Sequence, residues 1–201
     1  MSTDDSFPPP RTLVIWAALF EGGLGVLAIT LGWWFESRPE HLIRWTLPGL
    51  AWGIGASLPP LALVLLCIKY PVRPFADLVR TFDELLVPLF RGCAVWELAV
   101  ISLLAGFGEE LLFRGIVQHW TAARWGTWIG LAGASILFGL LHPISITYAV
   151  LAGLIGLYLG GLWIVTDNLL APIVTHAVYD FLVLVYLVRI RPPPRGITIA
   201  S

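Results

Sequence analysis

The stretch Val95–Trp120, VWELAVISLLAGFGEELLFRGIVQHW, decides how this chain is read. From Val95 to Phe107 the only charge is Glu97; Glu109, Glu110 and Arg114 then follow within one apolar segment. The run is long enough to cross a bilayer, whose hydrocarbon core takes about 20 apolar residues of helix. A charged side chain at that depth costs roughly 2.5–3.5 kcal/mol on insertion scales. Groups this costly are rare in spans and mark functional positions.

The rest of the chain is built from similar material. Its 201 residues are 58% hydrophobic and 12% charged, with mean hydropathy +0.84. A soluble domain carries about 25% charged residues. This composition belongs to an integral membrane protein and leaves no room for a large soluble domain. A net charge of −1 supplies no field for a nucleic-acid partner, and nothing in the chain sets an oligomeric state. Cys67 and Cys93 lack metal-ligand spacing and read as small apolar side chains.

Apolar runs at 12–35, 46–69, 95–124, 127–142, 145–164 and 168–188 predict an all-α, polytopic membrane helix bundle of about six transmembrane helices. Between the second and third lies 73–91, where Leu78, Phe82, Leu85, Leu86 and Leu89 recur at helical spacing among Asp77, Arg80, Asp83 and Glu84. That pattern predicts an amphipathic interfacial helix. The chain then divides into a disordered N-terminal tail (1–11, with no basic region of a signal peptide), two helices with an amphipathic connector (12–94), a polar-residue-bearing core (95–188) and a C-terminal tail (189–201) begun by Pro192, Pro193 and Pro194. Six spans put both termini on one side. Arg11, Lys69, Arg73, Arg80, Arg91, Arg189, Arg191 and Arg195 fall on that side, against Arg38, Arg44, Arg114 and Arg124. This bias places both termini in the cytoplasm, and the short loops read as those of a bacterial cytoplasmic membrane protein.

Three pairs at i, i+4 spacing share a helix face: Glu110 with Arg114, Phe138 with His142, and His176 with Asp180. Arg114 is expected to hold Glu110, each lessening the burial cost of the other. Glu109 points about 100° away round the helix. Pro143 ends or kinks the helix after His142, and Asp180 can orient the His176 ring. Arg124–Thr127 forms a turn between two antiparallel helices, and Glu109 and His142 are equally far from it in sequence. They are expected to meet about 25 Å from the turn, in the cytoplasmic half of the membrane. His176 and Asp180 enter from the same side as the turn and reach toward that level. Glu21 and Glu97 are given structural or unassigned roles.

Two reactions fit one carboxylate and two imidazoles in a wet intramembrane cavity. In one, Glu109 assisted by His142 takes a proton from water, and His176 with Asp180 stabilises the oxyanion of an attacked peptide carbonyl. In the other, Glu109, His142 and His176 hold a metal such as zinc, although the HExxH of soluble zinc proteases is absent. A nonenzymatic reading also stands: intramembrane Glu, His and Asp can form a proton or ion pathway in a small transporter.

The residues also resemble a family. EELLFR (Glu109–Arg114) is similar to the EExxxR motif of the CPBP/Abi family of membrane proteins, which includes CAAX prenyl proteases and bacteriocin-processing proteins. FGLLH (Phe138–His142) resembles its FxxxH motif, and HAVYD (His176–Asp180) its third motif, led in by NLLAPIVT. The likeness covers roughly 95–188. It implies an intramembrane endopeptidase of the type II CAAX kind acting on a membrane-associated peptide or protein. Glu109 and His142 would activate water and His176 and Asp180 would line the oxyanion site, with Glu110, Arg114 and Phe138 in support. The metal-free mechanism is favoured over zinc, because Glu and His need no further ligand to activate water. The chain departs from the commoner pattern at Asp180, where Asn is frequent; an ionised Asp would repel an oxyanion. A non-catalytic bacteriocin immunity protein is the remaining alternative.

Overall fold

The structure is a computed structural model describing residues 9–73 and 75–192. The expected tails fall largely outside them. Among the described residues all regular structure is helical. We label the helices α1 (Pro10–Trp34), α2 (Leu47–Lys69), α3 (Phe75–Phe90), α4 (Val95–Trp125), α5 (Thr127–Leu140), α6 (Ile146–Thr166) and α7 (Leu170–Ile190). An all-α membrane bundle is thus the observed fold. Each expected span has its helix. α1, α2, α6 and α7 are long and apolar enough to cross a membrane unaided, whereas α5 has 14 residues and α4 joins α3 through a 114° bend.

Local sequence explains the boundaries. Thr46 caps α2, its Oγ1 accepting from Gly49 N–H at 3.2 Å, and Ser145 caps α6 through Tyr148 N–H at 3.1 Å. Gly126 (φ 96°) makes the α4–α5 turn, a conformation only glycine adopts cheaply. Glu97 reaches back to accept from Ala94 N–H at 2.6 Å and so starts α4. This gives Glu97 a capping role.

The outer faces suit acyl chains. Trp33, Trp34, Trp45, Trp125 and Trp128 stand exposed where α1, α2, α4 and α5 meet the 36–45 loop and the Gly126 turn, as in an interfacial aromatic belt. On the opposite side α3 is amphipathic, with Asp77, Arg80 and Glu84 exposed. Its apolar stripe packs on the bundle: Leu78, Val79 and Phe82 bury against Val64, Cys67, Ile68 and Leu187. Arg191 of the C-terminal segment fastens it with two bonds to Asp83, at 2.6 and 3.1 Å.

Two bare glycines bring α4 against its neighbours. A Cβ on Gly106 would lie 2.8 Å from Ala177 N and 2.9 Å from Ile173 O, so α7 approaches at backbone distance. A Cβ on Gly108 would collide with the Glu21 carbonyl of α1. Gly108→Val is expected to push α1 away at a cost of about 1–3 kcal/mol. A lowered thermal midpoint in detergent would record it, and an unchanged midpoint would show the contact to be dispensable.

Candidate active site

The polar residues of α4 divide as their helical positions require. Glu110 (0% exposed) and Arg114 (1%) are wholly buried and paired, Nη1 donating to Oε1 at 2.8 Å. The guanidinium is held from two more directions. Its Nη2 donates to Gly156 O of α6 at 2.9 Å, and its plane lies 4.7 Å from the Phe138 ring centroid, a cation–π contact. Directly after the glutamates α4 widens into π-helical turns over Leu111–Gln118, a distortion frequent at functional sites.

Glu110 has a second partner that spacing alone did not reveal. Its Oε1 also accepts from His176 Nδ1 at 2.8 Å, across the α4–α7 contact that Gly106 permits. A carboxylate in this position only accepts, so Nδ1 carries the proton. The His176 Nε2 edge then faces the cavity, 3.5 Å from Asp180 Oδ2 and 3.8 Å from Glu109 Oε2. Tyr179 stacks on the ring with centroids 5.4 Å apart and planes 14° apart. Asp180 is therefore the weaker neighbour of His176, and Glu110 orients the ring.

His142 is set by the end of α5. With Pro143 next, the helix stops, and the His142 amide donates to Gly139 O at 3.1 Å rather than to Phe138 O. The freed Phe138 carbonyl accepts from His142 Nδ1 at 2.7 Å. A carbonyl cannot donate, so Nδ1 bears the hydrogen and Nε2 points inward, 4.0 Å from Glu109 Oε1. Phe138 thus supports both ends of the site, carrying Arg114 on its ring and His142 on its carbonyl.

Glu109 (8% exposed) lies between the two imidazoles. Glu109, His142, His176 and Asp180 all line one cavity of about 270 Å³, roofed on one side by Leu78, Phe82, Leu86 and Phe90 of α3. Glu21 of α1, Tyr148 and Tyr179 line it too. Sequence reasoning left Tyr148 and Tyr179 out and gave Glu21, a lone acid in an apolar span, a structural or unassigned role. A wider, shallower groove of about 930 Å³ between α2 and α6 has no carboxylate or imidazole in its lining.

As placed, His142 Nε2 and His176 Nε2 face different oxygens of Glu109, each at a separation wider than the spacing of two tetrahedral metal ligands. Bonds of ~2.1 Å set ligand atoms ~3.4 Å apart, whereas the separations here are 3.8 and 4.0 Å. Among the described residues no group of three His, Cys, Asp or Glu is disposed to hold a metal ion.

A family model described as Type II CAAX prenyl endopeptidase Rce1-like matches residues 91–182. The chain is 30% identical over 95 residues to the uncharacterised protein YpbD of Bacillus subtilis (strain 168), covering 46% of each. It is 30% identical over 135 residues to an uncharacterised 24.3 kDa protein of Escherichia coli, 64% of this chain and 59% of that one. The chain thus spans about half the length of the curated relatives it matches. No solved structure matches. The motifs that converge on the cavity fall within the matched segment, and over residues 91–182 the chain is similar to the Rce1-like type II CAAX prenyl endopeptidases.

Proposed function

We propose that the protein is an intramembrane endopeptidase that hydrolyses a peptide bond of a membrane-associated peptide or protein. The observation that carries this reading is Glu109 between two inward-facing imidazole nitrogens, at 4.0 and 3.8 Å, on a buried cavity. Gaps of this size suit a bridging water, since one about 2.8 Å from each group reaches both. With Nδ1 of His142 committed to Phe138 O, its Nε2 accepts one water hydrogen and Glu109 the other. The oxygen is then free to attack.

In the reaction Glu109 takes the proton as the water oxygen bonds to the scissile carbonyl carbon. The carbonyl oxygen becomes the oxyanion. His176 answers it in its doubly protonated form, with Nδ1–H on Glu110 and Nε2–H on the oxyanion. Asp180 flanks the same edge at 3.5 Å and its charge stabilises the imidazolium, a role an ionised carboxylate can fill. When the C–N bond breaks, Glu109 returns its proton to the departing amine. The Lys and Arg distribution supports cytoplasmic termini, with the cavity beneath α3 in the cytoplasmic half of the membrane.

The test is cleavage by the purified protein of two probes in detergent, a farnesylated CaaX peptide and an unmodified membrane-anchored peptide, read by mass spectrometry. Cleavage at one bond, unchanged by EDTA, is expected. Loss under chelator with recovery on zinc would overturn the metal-free mechanism. No product from either probe would overturn the choice of substrate class.

A further inference from the structure

Glu21 is an acid without a described job. It sits in α1, the outermost helix, whose side chains are mostly exposed to the bilayer. Yet it turns inward and lines the same cavity as Glu109. The approach is built in: Gly108 has no side chain, so the Glu21 backbone rests on α4 one residue before Glu109. Buried polar groups are nearly always bonded. Glu21 Oε2 is buried with no hydrogen-bond partner among the described residues. Glu109 Oε2, on a residue only 8% exposed, is in the same condition.

The charges around the cavity lead to a ligand. Arg114 matches Glu110. That leaves the carboxylates Glu21, Glu109 and Asp180 around two imidazoles, and among the described residues no Lys or Arg lines the cavity. Carboxylates in apolar surroundings lack their solvation and gain most from a cation brought to them. The remaining walls, from α2, α3 and α6, are mainly apolar. They would accept an aliphatic stem while its charged end meets Glu21.

We infer that Glu21 is a specificity-determining residue that receives a basic side chain of the substrate next to the scissile bond. The inference rests on the endopeptidase reading for its meaning but not for its measurement.

Binding is measured with the Glu109→Gln protein in nanodiscs, by anisotropy. The probes are labelled, N-acetylated Leu/Ala peptides carrying one internal lysine, walked along the chain, or norleucine in its place. Cleavage of the same peptides by the parent protein is followed by mass spectrometry. At one or two adjacent positions lysine should bind about tenfold more tightly than norleucine, as one charge-assisted contact allows. Glu21→Gln should erase that preference while leaving the norleucine peptide unchanged. A norleucine peptide with a free N-terminus separates an α-amino ligand from a side chain; tighter binding of that peptide than of any lysine peptide would overturn the assignment. Equal binding of the lysine and norleucine peptides would also overturn it, and this comparison needs no Glu21 variant to fold. Retention of the preference in Glu21→Gln would move the site elsewhere and overturn it too. A Glu21-dependent lysine preference without cleavage of any peptide would uphold the cation site and reject the endopeptidase reading.

Discussion

Glu109→Ala is expected to abolish peptide cleavage, by about 1,000-fold or more, in a protein that inserts and melts like its parent. The activity loss follows from its position. Glu109 is the one carboxylate facing both cavity-directed imidazole nitrogens, and a positioned general base contributes roughly 100- to 10,000-fold. Stability should survive because Glu109 Oε2 makes no hydrogen bond among the described residues, so truncation strands no partner. Glu109→Gln preserves shape but cannot take a proton and should be equally inactive. His142→Ala should retain more activity than either, because Glu109 still reaches the water. Full activity in Glu109→Ala would reject the mechanism. Solute or proton flux in liposomes, lost in the same variant with no peptide product, would point to a transporter. Intact bacteriocin protection by Glu109→Ala would point to an immunity protein.

Arg114→Ala should fail differently, as a folding defect. It strands Glu110, a fully buried carboxylate, with only the His176 ring to answer it. It also loses the bond to Gly156 O and removes the cation from the Phe138 face. Breaking a buried pair by deleting one partner costs about 3–5 kcal/mol in soluble cores. A marginally stable protein does not absorb that loss. The expected result is low yield and early elution on size exclusion. The double variant Glu110→Gln/Arg114→Ala removes both charges and leaves His176 Nδ1–H an amide oxygen to donate to. It should melt above Arg114→Ala alone, since a buried pair contributes little net stability compared with the cost of breaking it. A well-folded but inactive Arg114→Ala protein would instead give Arg114 a direct part in catalysis.

The hairpin register illustrates what spacing can reveal. Glu109 and His142 are equally far from the Gly126 turn, and in the folded chain their side chains approach within 4.0 Å. The Glu110–Arg114 pair was equally legible, because i, i+4 partners on one helix have almost no freedom to miss each other. The His176–Asp180 pair was legible only in part. Its spacing suggested that Asp180 orients the ring, but the 2.8 Å bond goes to Glu110 and Asp180 stands at 3.5 Å. Glu21 could not be placed at all, since nothing in an apolar span says which way a lone acid faces.

Sequence by itself determined the helices, their membrane-suited composition, the amphipathic α3 and the residues of the three motifs. These follow from hydropathy, from fixed helical periodicity, and from the burial cost that makes ions rare in a span. The tertiary structure alone decided which helices meet across Gly106 and Gly108, and therefore that Glu110 serves two partners and that Glu21 reaches the cavity. Local spacing constrains neighbours one turn apart on one helix. Contacts between helices depend on rotation and crossing, which are set by packing over the whole bundle.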